Sequence, residues 1–315
     1  MRRIVIFSGH AHRELAAEIC KRLDLPLSPS TVTRFSNDCL GVQLKANCRE
    51  ADVFIIQPLV PPVQENLMEL LLMLDAARGA SAARTTAVIP HYAYARSDKK
   101  DAPRISIAAR LVADLLATAG ANRVLTMTLH SAQAHGFFSV PVDHMNALKV
   151  LARHFRRRKL ENTVVVSPDL GNAKEATYFA RMLKLPVAAG SKSRLADDKV
   201  VIDAIVGDVE GKRAIVIDDE ISNGGTIIEL LSRLRERNVK RIAVVCTHGL
   251  FTGEAINRLR AQPEIEEIVT TNTVLIPPEK CLPNMRILSV GPLLAETIHR
   301  IHVGKSVSAL FDENH

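Results

Sequence analysis

Two adjacent carboxylates followed closely by two glycines carry the sharpest chemical signal in the chain. In AIVIDDEISNGGTIIELL, the β-branched run Ala214 to Ile217 leads into Asp218 and Asp219, then Ser222, Asn223, Gly224, Gly225 and Thr226 before a helical pattern. Carboxylates at a strand end accept hydrogen bonds from vicinal ribose hydroxyls, and a glycine-rich turn offers backbone N–H groups to a phosphate at a helix N-terminus. The order predicts a ribose-phosphate cradle and is more restrictive than a lone glycine pattern.

Other junctions carry weaker signals. In VVVSPDLGNAKEATYFARML, Asp169 follows the strand-like Val164 to Val166 with Gly171 and Lys174 nearby. Such an aspartate suits Mg²⁺, which keeps few protein ligands and leans on substrate phosphates, and equally suits a turn or helix cap. RVLTMTLHSAQAHGFFSVPVDH presents His130, then His135, Asp143 and His144. The spacing is not HExxH and no acidic ligand sits beside the histidines, which argues against zinc; His130 also fits a satisfied polar residue at a strand end. Lys192 and Arg194 in SKSR follow the strand-like Leu185 to Ala189. They read either as a solvated polar loop or as a loop closing over a transferring phosphoryl group.

These positions need strands to hold them. Apolar, β-branched runs recur at Arg3 to Phe7, Val53 to Gln57, Thr86 to Pro90, Val124 to Thr128, Val164 to Ser167, Ala214 to Asp218 and Ile242 to Thr247, alternating with helical patterns. That alternation predicts an α/β protein with mainly parallel sheets flanked by helices. After Gln64, Leu67, Leu70, Leu71 and Leu74 recur at helical spacing, and Met68, Leu72 and Met73 widen the apolar face, so a deeply buried helix is expected. DVFIIQ, a loop and LMELLLMLDAARGASAARTTAVIPH resemble RAIVID, a loop and IIELLSRLRERNVKRIAVVCTH, each ending in a histidine, His91 or His248. Two copies of one doubly wound unit account for this, with domains at 1–146 and 147–315.

Composition agrees. A chain of 315 residues exceeds the usual single core. No apolar run approaches the roughly 20 residues that span a bilayer, and the apolar run before Ser8 is too short for a secretory signal, which places the chain in the cytoplasm. Five cysteines, an odd number without a CxxC pair, read as free thiols. The net charge of +7 admits nucleic acid or anionic metabolites, but three tyrosines and no tryptophan leave little to stack bases on. The dense basic run Arg153 to Lys159 reads as a solvated helix end. Phosphorylated metabolites fit best, with no nucleic acid and no membrane.

RFSN at Arg34 to Asn37, NLMELLLMLDA at Asn66 to Ala76, YARSDKKD at Tyr94 to Asp101, GFFSVPVD at Gly136 to Asp143 and SPDLGNAK at Ser167 to Lys174, with the Asp218 to Thr226 segment, resemble the ribose-phosphate diphosphokinase family over essentially the whole chain. The resemblance implies two tandem type I phosphoribosyltransferase-like domains and a homo-hexamer. It implies transfer of diphosphate from ATP to the C1 hydroxyl of ribose 5-phosphate, giving phosphoribosyl diphosphate and AMP. It assigns Phe35, Asn37, Arg96 and Ser97 to ATP, His130 and Asp169 to Mg²⁺, and Lys192 and Arg194 to a catalytic loop. Asp218, Asp219, Ser222, Asn223, Gly224, Gly225 and Thr226 fall to ribose 5-phosphate, and Arg49, Ser81, Arg104, Ser306 and Ser308 to a regulatory phosphate or ADP site between subunits. Departures from the family pattern stand at Cys39, Ser97, Thr128, Ser139, Ser222 and Asn223, four of them where a carboxylate is usual. The alternative they raise is a weak or inactive member acting as a regulatory subunit.

Overall fold

A computed structural model describes residues 2–196 and 199–310, the side chains of 192–196, 199–201 and 203 excepted. The chain forms two compact units, Met1–Asn146 with Thr273–Leu275 and Val290–His315, and Ala147–Asn272 with Ile276–Ser289.

The first unit runs β1 (Ile4–Ser8), α1 (Arg13–Leu23), β2 (Ser30–Arg34), β3 (Leu40–Leu44), β4 (Asp52–Ile56), α2 (Val63–Gly79), β5 (Arg84–Ile89), α3 (Ala108–Ala119), β6 (Arg123–Met127) and β7 (Val142–Met145). Strands β1, β4, β5, β6 and β7 form a parallel sheet in that order, while β2 and β3 pair as a separate antiparallel ribbon. Every residue of β4 is buried, as expected where helices cover both faces and no alternation is left. On α2 the buried positions are Asn66, Glu69, Leu70, Met73, Leu74 and Ala77, a 3.6-residue stripe. The burial is less deep than expected, since Met68, one of the residues that widened the apolar face, is 49% exposed, and two of the buried positions are polar. Gln57 accounts for those two: its amide donates to Glu69 Oε2 at 2.8 Å and to Asn66 Oδ1 at 3.3 Å.

The second unit runs α4 (Leu148–Phe155), β8 (Thr163–Ser167), α5 (Ala173–Leu183), β9 (Val187–Ala196), β10 (Lys199–Val206), β11 (Arg213–Ile221), α6 (Gly225–Glu236), β12 (Ile242–Gly249), α7 (Ala255–Arg260), β13 (Ile265–Thr271) and β14 (Met285–Leu288). Its sheet has the order β10-β9-β8-β11-β12-β13-β14, and β9–β10 is its antiparallel pair. The segment expected as a polar SKSR loop is therefore hairpin. The basic run at the end of α4 is not wholly solvated either: His154 lies 3.0 Å from Glu267 on β13, and Arg158 pairs with the same carboxylate while its guanidinium stands 5.4 Å from the Phe155 ring.

The last described helix, α8 (Gly291–Val303), packs on α1 in the first unit. A second domain continuous to residue 315 was expected, and the return of this helix departs from it. Its physical cause is a polar lock at the start of β4 and β5. His302 Nδ1 lies 2.9 Å from Asp52 Oδ2, Arg84 pairs with the same carboxylate, and Arg84 Nη2 donates to the Ile301 carbonyl at 3.1 Å. Asp52 is 1% exposed, and a carboxylate so deeply buried needs such partners.

Candidate active site

In the second unit the chain leaves β8 towards β9 on one side and leaves β11 towards β12 on the other. Since β8 and β11 are parallel neighbours, with Val166 opposite Val216, the loops beyond their carboxyl ends diverge and leave a crevice where α/β proteins bind ligands. The strands of the first unit run in sheet order without such a reversal. Asp169 follows β8 and Asp218 lies in β11, one on each side of the crevice.

Asn172 joins them. Its N–H donates to Asp169 Oδ1 at 3.0 Å, and its side-chain amide donates to Asp218 Oδ1 at 3.3 Å and to the Ile217 carbonyl at 3.4 Å. Ser167 Oγ fixes the loop further by donating to the Asp169 carbonyl at 2.7 Å. Loss of water around Asp218 pushes its pKa well above the usual carboxylate value, and the charges of Asp219 and Asp169 push it further. A carboxylate held in this way favours a proton, a cation or a hydroxyl donor beside it.

β11 runs past the expected strand end, carrying Asp219 and Glu220 to Ile221, which pairs with Gly249 of β12. The turn follows. Ser222 Oγ lies 3.1 Å from Thr252 Oγ1, and the Thr252 N–H donates to the Ser222 carbonyl at 3.0 Å. Gly224 caps α6 at φ +76°, a left-handed conformation that glycine adopts without penalty. Asn223 Oδ1 accepts the Gly225 N–H at 3.0 Å, and Arg258 Nη1 reaches the Asn223 carbonyl at 3.3 Å. One donor of the expected phosphate cradle is thus already bonded by Asn223.

The remaining expected positions lie in the first unit, apart from Lys192 and Arg194, whose backbone is in β9 and whose side chains lie outside the described residues. Phe35, Asn37 and Cys39 form the tip of the β2–β3 ribbon, closed by Phe35 N–H to Cys39 carbonyl at 2.8 Å and Cys39 N–H to Asn37 Oδ1 at 3.2 Å. The Phe35 ring is 55% exposed and lies over Gly41, where a Cβ would stand 2.7 Å from it. Arg34 ties the ribbon to Asp38 and to Glu65 on α2. An exposed aromatic ring on a braced ribbon offers a face to a planar base.

Arg96 ends a short 3₁₀ turn after β5, and His130 follows β6, the neighbouring strand, so both stand beyond the same edge of the sheet. Both side chains are exposed. Ser97 is turned to structure: its hydroxyl donates to the Ser106 carbonyl at 3.2 Å and accepts the Ala108 N–H at the start of α3 at 3.1 Å. Thr128 adopts φ +43°, which costs a β-branched residue on the order of 1–3 kcal/mol. Its N–H donates to the Met145 carbonyl at 2.8 Å, and the next N–H, of Leu129, donates to His144 Nε2 at 2.8 Å. Burial, and secondarily the charge of His135, lower the His144 pKa to about 4.

Of the residues expected to regulate, Ser81 is brought to the segment of Arg49 by Glu50 N–H donating to the Ser81 carbonyl at 2.9 Å. Ser306 follows α8, where Arg300 Nη1 donates to its carbonyl at 2.9 Å; Ser308 opens a short 3₁₀ turn, and Arg104 sits at φ +62° before α3. Asn172, Thr252 and Arg258 were not singled out from the sequence. Asn172 follows Gly171 in a motif that drew attention to its aspartate and lysine, and its partner lies 46 residues away.

Comparison with known proteins accounts for both units. A family model described as the N-terminal domain of ribose phosphate pyrophosphokinase matches residues 4–120, and one described as the phosphoribosyl synthetase-associated domain matches residues 193–312. A Streptomyces coelicolor protein provisionally named ribose-phosphate pyrophosphokinase is 64% identical, covering 99% of this chain and 98% of its own. The Deinococcus radiodurans ribose-phosphate pyrophosphokinase is 49% identical, with 98% of each chain covered. The crystal structure of phosphoribosylpyrophosphate synthetase from Mycobacterium smegmatis superposes with a TM-score of 0.91 at 40% identity, over 96% of this chain and 100% of that one. Each unit therefore has the phosphoribosyltransferase-like fold, and with the aspartates at the switch point, the glycine turn opening α6 and both family domains in one chain, this protein belongs to the ribose-phosphate pyrophosphokinase family.

Proposed function

We propose that the chain catalyses its family's reaction, transferring diphosphate from ATP to the C1 hydroxyl of ribose 5-phosphate. The observation that carries this is the Asp169–Asn172–Asp218 bridge across the crevice, set beside a glycine-capped helix start. The sugar hydroxyls bond to Asp218 and Asp219, and the 5-phosphate docks at the N–H groups of Thr226 and Ile227, and at that of Gly225 when it displaces Asn223 Oδ1. Ser222 and Asn223 complete the turn as hydroxyl and amide contacts. The C1 oxygen forms a bond to the β-phosphorus of ATP as the bond from that phosphorus to the AMP oxygen breaks; the proton of the C1 hydroxyl leaves to a nearby acceptor. Positioning and charge neutralisation supply the catalysis, with no protein nucleophile.

Phe35 stacks on adenine, Asn37, Arg96 and Ser97 complete the ATP contacts, and Lys192 and Arg194 neutralise charge on the transferring group. A divalent cation, Mg²⁺ by its chemistry, suits the Asp169 carboxylate of the second unit, and in the first unit the exposed His130 is a candidate to meet the metal–ATP complex. Asp169 belongs to the group of carboxylates whose mutual repulsion raises the Asp218 pKa, and a cation there relieves it. Among the described residues no three His, Cys, Asp or Glu side chains form a ready-made cage, which suits an ion that keeps water and phosphate ligands. When bound it would neutralise charge on the diphosphate. Among the described residues no helix is long and apolar enough to cross a membrane, in keeping with a cytoplasmic enzyme. The subunits assemble as a homo-hexamer.

The deciding experiment supplies the purified chain with ATP, Mg²⁺ and ribose 5-phosphate and measures AMP and phosphoribosyl diphosphate. Equimolar formation of the two is expected; their absence would end this reading and favour the regulatory-subunit alternative.

A further inference from the structure

The three histidines after β6 lack the spacing of a zinc site, and His144 has no part in the chemistry described above. Its place in the fold supplies one. His144 lies on β7 opposite Thr126 of β6, so its backbone belongs to the sheet and cannot drift with the loop above it. Its Nε2 lies 2.8 Å from the Leu129 N–H, and a ring nitrogen that accepts from a backbone amide carries no proton. The ring is neutral, with its proton on Nδ1.

The amide it holds joins two unusual neighbours. Thr128 is a β-branched residue at φ +43°, a backbone state that persists only where the surroundings over-determine it. His130, next after Leu129, is exposed at the sheet edge. Two bonds from β7 span the strained peptide pair, from the Thr128 N–H to the Met145 carbonyl and from the Leu129 N–H to His144. The first is backbone to backbone and continues the β6–β7 pairing. The second depends on one side chain.

We propose that His144 is a positioning residue for the reaction: as a neutral acceptor it holds the Leu129 amide, keeps Thr128 left-handed, and so aims His130 at its ligand. The direction in which His130 leaves the sheet follows from the φ of Thr128, and relaxing that residue to the β or α region would swing the following peptide away. The proposal rests on the reading of His130 as a group that meets the metal–ATP complex, and its test separates the two.

Three variants, His144→Leu, His144→Asn and His130→Ala, are compared as full-length protein. His144→Leu fills the space without an acceptor, and His144→Asn restores an acceptor oxygen. For His144→Leu the expectation is a kcat at least about tenfold lower, roughly 1.4 kcal/mol of barrier, and a higher Mg²⁺ concentration for half-maximal rate, with KM for ribose 5-phosphate unchanged. His144→Asn should recover most of the loss. In parallel, deuterium uptake of the peptide spanning 126–135 is followed without substrate or metal; it should quicken in His144→Leu and return towards the parent rate in His144→Asn. Unchanged uptake in His144→Leu, or equal loss of activity in both His144 variants, would overturn the proposal. Full activity in His130→Ala would instead remove the role of His130, while the uptake result would still show whether His144 holds the loop.

Discussion

Asn172 contributes two kinds of bond to the crevice, and only one depends on its side chain. In Asn172→Ala the N–H to Asp169 survives, while Asp218 loses an amide donor next to two like charges. Hydrogen bonds to charged groups contribute about 1.5–3 kcal/mol. A kcat about 10- to 100-fold lower is therefore expected, with the thermal midpoint nearly unchanged, since the residue is only partly buried; a steady-state assay beside a melting curve checks both. Ser222 makes the opposite case. Its hydroxyl is already engaged with Thr252 Oγ1, which could donate equally to a carboxylate. Ser222→Asp restores an acid where the family has one, and turnover about tenfold higher is expected, roughly 1.4 kcal/mol of barrier. Calorimetry with ribose 5-phosphate on both forms shows whether the sugar already binds to the parent. Unchanged turnover would mean that Ser222 does not limit the chemistry.

At the level of elements, the β6–β7 pair carries a pH signature. His144 has its pKa lowered from 6.5 to about 4 by burial first and by His135 second. Between those values the unfolded chain takes up a proton that the folded chain refuses, so stability is full above pH 6.5 and falls as pH drops towards 4. The ring is only partly buried, and the loss should be on the order of 1–3 kcal/mol. Denaturant unfolding at pH 7 and pH 4.5 measures it, and His144→Asn should flatten the difference. The strands that hold the candidate site were legible from sequence because β8, β11 and β12 each contain an uninterrupted buried apolar stretch, Val164 to Val166, Ala214 to Ile217 and Ile242 to Cys246. β13 was not, because Glu266 and Glu267 interrupt its run, and it takes the ion pairs of Glu266 with Arg213 and Arg241 and of Glu267 with Arg158 and His154 to reconcile them with a strand. The β2–β3 ribbon also escaped notice: none of its residues is buried, and its apolar alternation is confined to Leu40, Val42 and Leu44, too short a signal to mark a strand. Asp218, Asp219 and the glycine turn were readable since their order along the chain is their order in space. Asn172 was not, since its meaning depends on a strand far along the sequence.

For the whole molecule, regulation and architecture meet at the C-terminal segment. Arg49 and Ser81 share one corner of the first unit through the Glu50–Ser81 bond, and Ser306 and Ser308 follow the helix locked by Asp52, Arg84 and His302. Hydroxyls and arginines are suited to an anion. If these residues form the regulatory site, activity and the proportion of hexamer should both respond to titration with phosphate and ADP, read by initial rate and light scattering. Flat responses in both would remove that role. A chain cut to residues 1–146 should fare badly for a separate reason: it leaves the α1 face that α8 covers open to water and Asp52 without His302. Such a fragment is expected to be aggregated or to lack a cooperative melting transition, whereas the same fragment supplied with residues 290–310 on a short linker should regain one.

The return of α8 also sets an order of events during synthesis. A ribosome releases the chain from its N-terminus, and domains made first ordinarily fold first. Here the first unit cannot be completed when its own sheet has emerged, because the helix that closes it is encoded some 150 residues later, after every strand of the second unit. The unit with the switch-point aspartates can finish while the older half still waits. The nascent protein thus spends most of its synthesis with an open apolar face near its beginning, the stretch a chaperone would have most time to meet. Premature termination anywhere before α8 therefore harms the half already made as much as the half left short.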